Sequence, residues 1–197
     1  MLTTEIEISK YRKPDHDIEP MLFHRWSPRA MSGAEISEQE LMTLFEAARW
    51  APSSYNAQPW RFLYARRATA NWDRFFDLMV EFNRSWTKQA AVLMVVVSRK
   101  AFESNDQAAP THSFDAGAAW QNLALQGSRM GLVVHGMQGF DYDKARLELN
   151  VPDEFQVEAM IAVGKPGKRE DLPADLQGRE QPSVRKPVAE IAIEGGF

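Results

Sequence analysis

The segment Ala90–Val97, AAVLMVVV, constrains the fold more than any other part of the sequence. A short, unbroken apolar run rich in valine suits a strand covered on both faces, because neither side is left polar for water. It is also the longest strongly apolar stretch, and it is far too short to cross a bilayer. The rest of the chain must therefore supply layers above and below this strand. At 197 residues, with 44% apolar and 25% charged, the chain can build one domain with a proper core.

The flanking segments supply those layers. Ser37 and Glu40 form an S-x-x-E capping box, which predicts a helix carrying Leu41, Leu44, Phe45 and Ala48 on one face and stopped by Pro52. Trp60–Ala65 predicts a strand. A second amphipathic helix is expected from about Asn71, with Trp72, Phe75, Phe76, Met79 and Trp86 along its apolar side. A third helix is expected over about Phe114–Met130. It carries the small residues Ala116, Gly117, Ala118 and Ala119, and Gly131 terminates it. A strand at 132–135, a short helix at 141–149 and a strand at 157–163 follow. Residues 1–22 read as a polar extension, and the tail beyond Pro166 is charged and punctuated by proline. The pattern lacks regular βαβ alternation, so the expectation is α+β: a central mixed sheet flanked by helices.

Several function classes fall away. There is no cysteine, which removes disulfides, thiolate nucleophiles and thiolate metal ligands. The net charge of −4 argues against a general nucleic-acid binder. The opening residues lack the apolar run of a signal peptide, so cytoplasm is the expected location and no membrane association is expected. No G-x-G-x-x-G follows a strand, and there is no P-loop. The four histidines, at 16, 24, 112 and 135, show no metal-ligand spacing, and no Ser–His–Asp catalytic grouping is expected.

Two segments carry candidate chemistry. Arg25, Ser27 and Arg29 alternate, so an extended backbone points two guanidiniums and a hydroxyl the same way, as a phosphate-type anion requires. On spacing alone the commoner reading is a solvated loop with spare charge. The loop Pro52-Ser53-Ser54-Tyr55-Asn56-Ala57-Gln58 offers both donors and acceptors between a helix and a strand, which suits the edge of a polar heterocycle. A plain turn that stops a helix would have the same composition.

Taken with A-A-R-W-A-P-S-S-Y-N-A-Q-P-W, the R-x-S-x-R segment resembles the opening signature of the nitroreductase family. The likeness continues through Asn83, D-A-G-A-A-W-Q-N-L (Asp115–Leu123), H-G-M-Q-G-F (His135–Phe140), M-I-A-V-G-K-P (Met160–Pro166) and R-K-P-V-A-E-I (Arg185–Ile191). It spans about residues 23 to 191 in the family's order. The resemblance implies an FMN-dependent homodimer that oxidises NAD(P)H and reduces a small organic acceptor such as a nitroaromatic, a quinone or an activated alkene. The two substrates would take turns at one site. Residues 23–197 would form the FMN-binding domain, with the tail from about 167 packed on the partner subunit.

By that resemblance, Arg25, Ser27 and Arg185 hold the FMN phosphate, with Arg29 nearer the ribityl and pyrimidine end. Pro52, Ser53, Ser54, Asn56 and Gln58 contact the flavin, the serines and Asn56 from the partner subunit. Asn83 bonds the pyrimidine edge, and backbone amides around Met137, Gln138 and Gly139 face N5. No side chain acts as a covalent catalyst, since the flavin carries the chemistry. The sequence departs from some family members at Trp86, where they carry lysine, and at Gln138, where they carry glutamate. Other readings stay open from sequence: a flavin-dependent dehalogenase or other metabolite-remodelling relative, a flavin store or sensor without turnover, and a plain α+β binding domain.

Overall fold

The computed structural model describes residues 7–197. Residues 1–6 of the expected N-terminal extension lie outside the described residues. In chain order the helices are α1 (Pro20–His24), α2 (Glu38–Arg49), α3 (Trp72–Phe76), α4 (Glu81–Thr87), α5 (His112–Arg129), α6 (Tyr142–Glu148), α7 (Ala174–Gln177) and α8 (Val188–Ile191). The strands are β1 (Trp60–Arg66), β2 (Val92–Arg99), β3 (Val133–Met137) and β4 (Phe155–Gly164), in the sheet order β1-β2-β4-β3.

The α+β class holds, but the sheet is antiparallel throughout, not mixed. β2 and β3 run in the same direction, as expected of strands joined by the crossover helix α5. β4 then enters between them and pairs antiparallel with both, so no parallel ladder forms. As its composition requires, β2 is buried from Val92 to Ser98. Its side chains alternate. Val92, Met94 and Val96 pack with Leu41, Leu44, Ala119 and Leu123 of α2 and α5. Leu93, Val95 and Val97 face the opposite cluster, with Phe75, Leu78, Trp86, Phe140 and Leu176. The result is three layers, helix on sheet on helix.

The capping box at the start of α2 forms as expected: Glu40 N–H donates to Ser37 Oγ (3.1 Å) and Ser37 N–H to the Glu40 carboxylate (2.7 Å). Gly131, just beyond α5, has φ +74°, the left-handed conformation that glycine adopts without strain. Gly127 is a point of close approach between α5 and β3, since a Cβ there would lie 2.3 Å from Val134 Cγ2.

The single helix expected from Asn71 through Trp86 is instead two, α3 and α4. Its apolar spacing is helical across the break, but Val80 is extended, and its N–H donates to Gly139 O (3.1 Å). Met79 bridges Phe140 in the same way. A distant loop thus captures the backbone that would have continued the helix. The stretch from Gly167 to Pro182 packs on its own chain: Leu172 and Leu176 enter the core, and Gly167 N–H bonds Ala30 O (3.0 Å). From Ser183 onward the residues are exposed. Val188 N–H donates to Asp15 (3.0 Å), which joins the tail to the N-terminal segment. No helix among the described residues is long and apolar enough to cross a membrane, and none of their acidic and histidine side chains group as a metal site.

Candidate functional site

After α1 the chain extends through Arg25–Arg29 and runs beside β3 and the stretch 179–185. The three enclose a cavity of about 250 Å³ lined by Arg12, Arg25, Ser27, Arg29, His135, Arg179, Gln181, Ser183 and Arg185. The structure brings together Arg25, Ser27 and Arg185, expected at the phosphate, and Arg29, expected nearer the ribityl and pyrimidine end. Arg25 Nη1 donates to Ser27 Oγ (3.1 Å), and Arg185 Nη1 to Ser183 Oγ (2.9 Å). Arg12 binds the walls to one another, donating to Ser183 O (2.8 Å), Phe23 O (2.8 Å) and Arg25 O (2.7 Å).

The cavity is electrostatically unsatisfied. Burial and then the neighbouring Arg185 push the Arg25 guanidinium below its ordinary pKa; burial, Arg185 and Arg25 do the same to Arg12. Burial also lowers Arg29, with Glu180 opposing and Arg179 adding to the effect. Glu180 is buried outside the lining, where its carboxylate accepts the Arg29 (2.8 Å) and Ala30 (2.9 Å) backbone amides. Arg29 Nε is buried without a partner. His135 is pushed down to about 4 by burial, with Arg29 and Arg25 adding to the shift against a hydrogen bond to Pro28 O. That carbonyl can only accept, so Nδ1 (2.8 Å away) is assigned the proton and the ring is neutral at pH 7. Crowded guanidiniums, a stranded N–H and the O–H donors of Ser27 and Ser183 call for a multi-oxygen anion.

Beside this cavity, Asn83 is buried on α4. Its Nδ2 donates to Gly139 O (2.9 Å), and its Oδ1 accepts from Trp86 Nε1 (3.3 Å). One N–H of the amide remains. Trp86 is buried too, and its ring lies 4.6 Å from that of His135. The residue that departs from some family members thus joins the Asn83 corner to the arginine cavity. Met137 is buried at the end of β3, while Gln138 is exposed.

Pro52, Ser53, Ser54, Asn56 and Gln58 do not line the arginine cavity. They form a separate loop held in an unusual conformation: Tyr55 (φ +50°), Asn56 (+54°) and Gln58 (+47°) are all left-handed. Each such residue costs on the order of 1–3 kcal/mol and persists only where its surroundings fix it. Gln58 N–H donates to Ser53 Oγ (3.0 Å), and Ser54 N–H to the buried Asp115 carboxylate of α5 (3.0 Å). Large side chains nearby stand in water: Trp50 is 72% exposed, Tyr55 93% and Phe114 80%.

Sequence reasoning missed Arg12, His135, Arg179, Gln181 and Ser183. Arg12 sits in what reads as a surface extension, and nothing local marks it. A cluster of Ser98, His112 and Glu158 forms away from the arginine cavity. Ser98 Oγ lies 2.7 Å from His112 Nδ1 and donates to Glu158, which also accepts from Ser113 (2.7 Å). It is not a nucleophilic triad, because Ser98 is fully buried and the carboxylate bonds the serine, not the far ring nitrogen. It ties the start of α5 to β2 and β4.

The Nitroreductase family model matches residues 22–165, and the chain belongs to that family. A solved structure of an oxidoreductase containing FMN is 43% identical, with a TM-score of 0.90 over 94% of this chain and 96% of that one. Protein DrgA of Synechocystis is 28% identical over 68% of this chain and 79% of its own length. An oxygen-insensitive NADPH nitroreductase of Helicobacter pylori is 41% identical over 35% of this chain, a match that spans 32% of that protein.

Proposed function

We propose that this chain is an FMN-dependent oxidoreductase that draws electrons from NAD(P)H and delivers them to a small organic acceptor: a nitroaromatic, a quinone or an activated alkene. The arginine cavity is the observation that carries the reading. Its uncompensated guanidiniums and the stranded Arg29 Nε fit a terminal phosphate. The likeness to an oxidoreductase containing FMN and to an NADPH nitroreductase supports the same assignment.

Arg25, Ser27 and Arg185 hold the phosphate, with Arg29 nearer the ribityl and pyrimidine end. Asn83 presents its remaining N–H to the pyrimidine edge, and the backbone around Met137, Gln138 and Gly139 lies against the ring. Bound FMN supplies hydride acceptance and donation. The protein contributes position, positive potential and a cavity that only one substrate can occupy at a time, with no covalent catalyst. The chain acts as a homodimer. The loop Pro52–Gln58 serves the partner's site, and the exposed tail beyond Ser183 packs on the partner. The exposed rings of Trp50, Tyr55 and Phe114 around that loop support a covered surface there.

Steady-state kinetics tests the reaction. Donor and acceptor that share one site give parallel initial-rate lines at several fixed acceptor concentrations. Intersecting lines, with both molecules bound together, contradict the shared site.

A further inference from the structure

Among the described residues, Asp115 is the one buried carboxylate outside the arginine cavity's surroundings that reaches across to another element's backbone. It lies one turn into α5, 5% exposed, and accepts from Ser54 N–H at 3.0 Å and from Thr111 Oγ1 at 3.4 Å. From sequence its place near a helix N-terminus needs no more than a favourable interaction with the helix dipole. The contact it makes goes further. Ser54 is the residue immediately before the left-handed Tyr55 and Asn56, and a second tie, Gln58 N–H to Ser53 Oγ, closes the far side of the same loop. The start of α5 is itself fixed, since His112 and Ser113 are bound to Ser98 and Glu158 of β2 and β4. Sheet, helix and loop are thus joined in series, with Asp115 as the last link.

We propose that Asp115 is a positioning residue: it holds the Ser54 amide so that the polar groups of the 53–58 loop are set before a flavin ring is bound. The inference rests on the FMN reading above. A loop free to relax out of three left-handed conformations would have to be reordered on binding, and that cost would appear as lost affinity. Asp115 touches neither the cofactor nor a substrate in this account and acts only through the loop.

The test compares Asp115→Ala and Asp115→Asn in the full chain by three readouts: exchange of the Ser54 amide, FMN affinity by titration, and kcat against KM. Removing a hydrogen bond to a charged group should speed Ser54 exchange and weaken FMN binding by about ten- to a hundred-fold in the alanine variant. The asparagine variant keeps an acceptor oxygen and should restore most of both while folding normally. In that variant kcat should stay near wild type, with any loss appearing as cofactor affinity. An alanine variant within twofold of wild type in both exchange and FMN affinity overturns the proposal. So does an asparagine variant as impaired as alanine. Wild-type protein that takes up no FMN overturns the flavin reading and the purpose given to Asp115, whereas FMN uptake with an indifferent alanine variant overturns the positioning role alone.

Discussion

Asn83 and Gly139 are joined by a 2.9 Å hydrogen bond from the side-chain amide to the carbonyl, and the same carbonyl accepts the Val80 backbone N–H at 3.1 Å. Glycine is required there by contact: a Cβ on residue 139 would lie 2.6 Å from Asn83 Nδ2 and 3.1 Å from Val80 Cγ2. Gly139→Ala should push the amide out of position and cost about 1–3 kcal/mol of stability. It should also weaken FMN binding. Urea unfolding and cofactor titration read the two effects separately.

The arginine cavity should respond to inorganic phosphate alone. A ligand at a hundred times its dissociation constant stabilises the native state by about 2.7 kcal/mol. Phosphate should therefore raise the melting temperature of flavin-free protein, with a weaker effect at higher ionic strength from sodium chloride. Replacing Arg25 by alanine should abolish most of the increase. An equal increase in the variant places the anion elsewhere.

His135 predicts an acid limit to stability. Its folded pKa of about 4 lies below the ordinary 6.5, so the unfolded chain takes up a proton that the folded cavity refuses. This contribution is complete above about pH 6.5 and is lost as pH falls through about 4. It is worth up to about 3 kcal/mol. His135→Asn keeps a donor for Pro28 O without a titrating ring, so its unfolding free energy should vary less between pH 7 and pH 4.5 than wild type. Identical pH dependence in the two proteins removes His135 from the account.

Ser37 serves as a control remote from the cavity. Ser37→Ala removes the cap on α2 and should cost about 1 kcal/mol. FMN affinity should be unchanged. A large loss of affinity in this variant would show that the other losses report general destabilisation.

These cases show which features the sequence carries. Ser37 with Glu40, the apolar run of β2 and Gly131 are local signals, each decided by residues next to one another, and each appears in the structure. The break between α3 and α4 is not local, because the partners that extend Val80 are Gly139 and Phe140. The antiparallel sheet depends likewise on β4 entering between β2 and β3, which no strand's own pattern encodes. Extended backbone brings Arg25, Ser27 and Arg29 to one side, but their spacing alone favoured a solvated loop, and only with the neighbouring family-like segments did it point to a site. Arg12, Arg179 and Ser183 reach the same cavity from the two ends of the chain, and only the folded arrangement reveals them.

The most direct test of the central claim is to purify the protein, record its visible spectrum and identify any released chromophore by mass. The account predicts yellow protein carrying FMN and no FAD. A variant with both Arg25 and Arg185 replaced by alanine lacks charge-assisted bonds worth roughly 1.5–3 kcal/mol each, so its affinity should fall by an order of magnitude or more. Colourless protein that takes up no FMN on titration, or a double variant that keeps its flavin through extensive dialysis, would contradict the account.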